Sequence, residues 1–164
     1  MTEDVRSCGG CTACCEGWLT DRSLNLKPGS PCPNITAQGC GIYETRPEKP
    51  CRTFTCAWLQ LPDEFPEHLR PDQSGAICMV DRDWQDWKVL RAIPTGPSVP
   101  SETYDWLLEY AKSKQIPFIF LEREFEDGRF SVSHLKALGP TAFAEDVKKA
   151  PNLNDTFWGL AEGE

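Results

Sequence analysis

Eight cysteines crowd into the first 56 positions of this 164-residue chain: Cys8, Cys11, Cys14, Cys15, Cys32, Cys40, Cys51 and Cys56. The ninth, Cys78, stands apart. Their order is C-x2-C-x2-C-C-x16-C-x7-C-x10-C-x4-C. Thiolates are strong ligands for zinc and iron, and CxxC spacing lets a tight turn bring two sulfurs within about 2.3 Å of one ion. Gly9 and Gly10 supply the freedom for such a turn. If the segment is helical from about residue 10, Cys11 and Cys15 share a face with Cys14 beside them. Either geometry converges several sulfurs. Eight thiolates suffice for two closed four-thiolate zinc sites, for one iron-sulfur cluster with four thiols to spare, or for a polynuclear cluster. Spacing does not choose among them. Cys8, Cys11 and Cys14 match the first three ligands of a bacterial ferredoxin run, but Cys15 replaces the expected x3-Cys-Pro. Cys51-x4-Cys56 is looser than a zinc-ribbon knuckle.

The other uses of cysteine fit less well. Nine is odd, and Cys14 and Cys15 are adjacent, which is awkward for a mutual disulfide but adequate for exchange with a partner. The first thirty residues lack the basic start and apolar stretch of a secretory signal, so a cytoplasmic, reducing location is expected. Three functions follow. The leading one is a metal-binding protein holding zinc or iron in a structural or chelating role. The second is an iron-sulfur redox protein or enzyme component, and the third a thiol-redox sensor.

Charge divides the chain. Residues 1 to 60 hold six acidic and six basic side chains, so the formal charge of -8 resides wholly in residues 61 to 164. An acidic surface repels phosphate backbones, which excludes nucleic acid as the expected partner and leaves the acidic half as a possible docking surface for a protein. No run approaches about 18 consecutive apolar residues, so no membrane partner is expected.

These groups must be positioned by something. Residues 20 to 50 are rich in Pro, Gly and Asn without a sustained period, and read as loop. Residues 61 to 75 read as an ordered Pro-rich connector because they contain Phe65 and Leu69. Residues 76 to 80 and 87 to 93 read as a strand pair. Ser101 stands as N-cap before the helical stripe Tyr104, Leu107, Leu108 and Ala111, which ends by Pro117. Asp127-Gly128 predicts a two-residue hairpin, with Phe125 opposite Phe130, Arg123 opposite Val132 and Leu121 opposite His134. Ile119, Leu121, Phe125, Phe130 and Val132 then share one face, and Glu122, Glu124 and Glu126 the other. Helices near 141 to 149 and 155 to 161 complete an α+β fold: a Cys-rich, loop-dominated metal-binding N-terminal half (1–60), the connector (61–75), and a small antiparallel sheet with two or three helices (76–164). The expectation is one compact domain.

Outside the cysteines little chemistry is visible. There is no HExxH, G-x-S-x-G or phosphate-binding glycine loop, so the chain leans away from being an enzyme. Cys78 lies in an apolar run and reads as core, His134 as a sheet residue, His68 as solvated, and the three glutamates as a solvated strand face. Trp84 with Trp87, or the sheet edge, offers a surface for a protein partner.

The cysteine order, followed by Gly39-Cys40-Gly41-Ile42-Tyr43-Glu44-Thr45-Arg46-Pro47, Cys51-Arg52-Thr53-Phe54-Thr55-Cys56-Ala57-Trp58 and Leu69-Arg70-Pro71-Asp72, resembles the CxxCxxCC zinc- or iron-chelating family, the YkgJ-like cysteine-cluster proteins. The resemblance covers roughly residues 8 to 80 and implies metal binding through the eight cysteines. A flagellin lysine N-methylase is similar in its cysteine cluster, which implies protein methylation as an alternative. No Gly-rich loop after a strand is present to hold a methyl donor. Within these motifs Ile42 and Tyr43 are placed to cover a site, Arg46 is fixed by the extended geometry before Pro47, and Arg52 beside Cys51 is placed to hydrogen-bond sulfur. Phe54 and Trp58 are placed to keep the site dry.

Overall fold

The computed structural model describes residues 11–18, 31–47, 51, 55–127, 129–149 and 157–159. Two strands, β1 (Ile35–Thr36) and β2 (Gly39–Cys40), pair antiparallel as a small ribbon within the predicted loop. A short helix α1 (Ala57–Gln60) begins at Cys56. The connector carries a 3-10 turn, Glu67–Leu69, and α2 (Pro71–Ser74). Its order has a physical cause: Phe65 and Leu69 are fully buried, and the Phe65 ring lies 5.1 Å from Trp106 and 5.0 Å from Tyr110.

The main sheet contains five strands in sequence order: β3 (Ala76–Trp84), β4 (Trp87–Pro94), β5 (Phe118–Glu126), β6 (Arg129–Gly139) and β7 (Phe157–Gly159). The chain is therefore mixed α and β, with two antiparallel hairpins as the sequence predicts. The hairpins join in parallel, β4 to β5, across α3 (Ser101–Lys114), and β7 joins β6 in parallel after α4 (Thr141–Lys149). Parallel neighbours need such crossovers, because a tight turn reverses the chain.

Three details correct the sequence reading. The register shifts between Glu124 and Phe125, with Ser131 as the extra residue in β6. Phe125 still faces Phe130, but Arg123 faces Ser133, Glu122 faces His134, and Leu121 faces Leu135. A bulge of this kind flips every alternation argument beyond it. The expected short helix at 155 to 161 is a strand over Phe157–Gly159. Its aromatic pair favours extended backbone, and a one-turn helix would leave the β6 edge without a partner. Finally, Pro100 rather than Ser101 is the N-cap of α3, and its carbonyl accepts from the Tyr104 N–H at 2.8 Å.

Both sheet faces are covered, which accounts for the unbroken apolar run Phe118-Ile119-Phe120. One face packs Leu90, Ala92, Phe118 and Leu138 with Leu107 and Ala111 of α3. The same cluster takes in Ala13, Cys56, Ala57 and Trp58, so the cysteine-bearing segments contribute to the sheet's core. On the other face Val89, Ile119 and Ala137 pack against Phe143 and Val147 of α4.

Candidate metal centre

The first cysteine segment turns tightly. A π-helical turn spans Cys14–Trp18, and the Glu16 N–H donates to the Thr12 carbonyl at 2.9 Å. Ala13 is buried, while Cys11, Cys14 and Trp18 pack against the core cluster that contains Cys56. Cys11 and Cys14 are thus brought to the same apolar body as Cys56.

Cys15 looks toward the second segment. Its carbonyl accepts from the Cys32 N–H at 2.7 Å. Cys32 and Cys40 bracket the β1–β2 ribbon, where Ile35 pairs with Cys40 and Gly41 N–H donates to the Asn34 carbonyl at 2.8 Å. The Asn34 side-chain amide donates to Cys32 Sγ at 3.6 Å, an N–H···S contact of the kind that stabilises thiolates. Cys56 is the N-cap of α1 and is 5% exposed. Cys51 is half-buried. Cys8, Arg52 and Phe54 lie outside the described residues.

The described cysteines, Cys11, Cys14, Cys15, Cys32, Cys40, Cys51, Cys56 and Cys78, are thiols, with no disulfide among them. Among the described residues, no group of three or more His, Cys, Asp or Glu side chains is arranged to hold a metal ion. Structural metal sites assemble with the metal, so donor chemistry is the more informative test of fit. That chemistry is all thiol, with an N–H from Asn34 donated to Cys32, and thiols are donors that zinc and iron take.

The predicted supporting residues divide. Trp58 is buried in the core cluster. Arg46 donates to the Tyr43 carbonyl at 2.8 Å and lies 3.8 Å from the centre of the Tyr43 ring, so it builds the turn around Tyr43–Thr45. Cys78 is 2% exposed, in the core as predicted, and burial followed by the charge of Cys56 pushes its thiol well above the ordinary range.

Two arginines escaped the sequence reading. Arg70, in the Leu69-Arg70-Pro71-Asp72 motif, pairs with Asp72 at 2.7 Å. Burial opposes its charge, but Asp72 and Cys11 outweigh this and hold its pKa above the ordinary value. Its Nε is buried with no hydrogen-bond partner. An orphaned buried donor of this kind costs roughly 1–3 kcal/mol. The available signal was an arginine fixed before a proline between Glu67 and Asp72. Arg123, 8% exposed, donates from Nη1 to the carbonyls of Pro94 (2.6 Å) and Gly96 (2.8 Å), and from Nη2 to that of Trp18 (3.3 Å). Burial lowers its pKa. Its signal was an arginine in an otherwise apolar strand register.

No family model, no curated protein and no solved structure matches the chain. Among the described residues, no helix is long and apolar enough to cross a membrane.

Proposed function

We propose that this chain is a cytoplasmic metal-binding protein that holds zinc or iron through the thiolates of Cys8, Cys11, Cys14, Cys15, Cys32, Cys40, Cys51 and Cys56, in a structural or chelating role. One observation supports the reading: cysteine-bearing segments distant in sequence pack on the same core, although among the described residues no group of three ligands is arranged around a metal ion. Cys11, Cys14 and Cys56 share one hydrophobic cluster, and a backbone hydrogen bond ties Cys15 to Cys32. A bound metal would neutralise the thiolates and cross-link these segments. Sites closed by four thiolates leave no coordination position for a substrate, which favours binding over catalysis. The α+β remainder serves as scaffold, and its acidic surface is the part suited to a protein partner.

Replacing single ligands tests this. Cys11→Ser and Cys51→Ser are each expected to lose metal and to loosen the N-terminal half, read by metal content and by proteolysis. Stoichiometric metal retained in both variants would sink the assignment.

A further inference from the structure

Helix α3 carries a ridge of stacked rings along one side. Trp106 and Tyr110 lie one turn apart, half-buried, with ring centres 5.5 Å apart and planes within 13° of parallel. Both rest on the buried Phe65 ring, and the exposed His68 meets Trp106 edge-on at 6.3 Å. The Tyr110 end already shows what such a ridge can hold. Lys114 Nζ lies 5.6 Å from the centre of the Tyr110 ring and pairs with the Glu64 carboxylate. That ammonium is held by a ring face and a carboxylate together.

The Trp106 end has the same two parts without the cation. Glu102 and Glu109 stand four residues before and three residues after Trp106, which places them beside it on the helix surface, and both are exposed. Among the described residues neither carboxylate is in an ion pair, and no cation lies on the Trp106 ring. We propose that this end of the ridge docks a basic segment of a protein partner, a lysine or arginine of which sits on the Trp106 ring within reach of Glu102 and Glu109. Tryptophan offers the strongest ring face for a cation, so the contact is best made there. Charge complementarity favours the same partner. The formal charge of -8 resides wholly in residues 61 to 164, the half that carries α3, and draws a basic segment toward it. The inference rests on the reading of the acidic half as a surface for a protein partner, and the cysteines take no part in it.

The test uses the full chain and two short fluorescein-labelled peptides, one alternating lysine with glycine and one alternating glutamate with glycine, read by fluorescence anisotropy. The lysine peptide is expected to bind, more weakly as salt rises, and the glutamate peptide is not. Trp106→Ala is expected to weaken binding by about 3- to 30-fold. Should that variant fail to fold, Trp106→Leu keeps apolar bulk over Phe65 without a ring face, and the same loss is expected. The double variant Glu102→Gln with Glu109→Gln is expected to weaken binding and to flatten its salt dependence. Asp83→Asn with Asp86→Asn removes equal charge at the β3–β4 hairpin and is expected to leave the affinity near that of the wild type. Wild-type affinity in the Trp106 and glutamate variants would overturn the ridge and leave the acidic half standing as a partner surface. Self-association of the wild type that Trp106→Ala abolishes would mean that the ridge pairs with a second copy, and would overturn the proposal. A wild-type chain that binds neither peptide would overturn both the ridge and the partner surface.

Discussion

The Arg123 guanidinium donates to the Trp18 carbonyl at 3.3 Å and its Cζ lies 5.1 Å from the centre of the Trp18 ring, across 105 residues of sequence. Two further donations, to Pro94 and Gly96, fix the same side chain to the end of β4 and the loop after it. The turn that carries Cys14 and Cys15 is therefore moored to the sheet by a buried cation.

That mooring yields the first prediction. Arg123→Met removes the donors and strands three carbonyls, so it is expected to cost about 2–4 kcal/mol. Urea denaturation measures the loss. Alkylation of the metal-free variant is expected to reach Cys14 and Cys15 sooner than in the wild type. An unchanged midpoint would show that the carbonyls find other donors.

Much of the scaffold was legible in the sequence, and the failures have physical causes. Both hairpins follow from short apolar runs around polar turns, and Gln85 and Asp127 take the positive φ such turns need, 53° and 51°. Phe65 and Leu69 marked the connector as ordered before their burial was visible. The bulge at Ser131 carries no strong local signal, since a serine in a strand pattern looks like an outward-facing residue. Strand β7 depends on the free edge of β6, a partner that a local pattern cannot see. The cysteines were conspicuous, but Arg123 acts through carbonyls of Trp18, Pro94 and Gly96 that are distant in sequence, so its neighbours say little about its role.

Cys78 provides a pH-dependent prediction. Its thiol is raised in the folded protein, so folding favours the protonated form. The stability this contributes is fully present below the unfolded thiol value of about 8.5 and is lost as pH rises beyond it, by up to ~1.4 kcal/mol per pH unit. Cys78→Ala is expected to flatten the fall in stability between about pH 8.5 and 10, and to leave metal content intact. Equal slopes in the two proteins would contradict the burial of this thiol.

Gly75 is the third test. It sits at φ 80° after α2, and a Cβ there would meet Pro100 Cγ at 2.6 Å. Gly75→Ala is expected to cost about 2–4 kcal/mol from strain and overpacking together. Thermal unfolding checks this, and a neutral substitution would mean that the contact with Pro100 yields easily.

The central claim is that the cysteine segments bind metal. Metal analysis of the chain purified without oxygen, paired with an absorption spectrum, tests it most directly. The account predicts stoichiometric zinc or iron: two zinc per chain without a band near about 400 nm for closed thiolate sites, or iron with acid-labile sulfide for a cluster. A folded chain carrying neither metal, and taking up neither when offered, would contradict it.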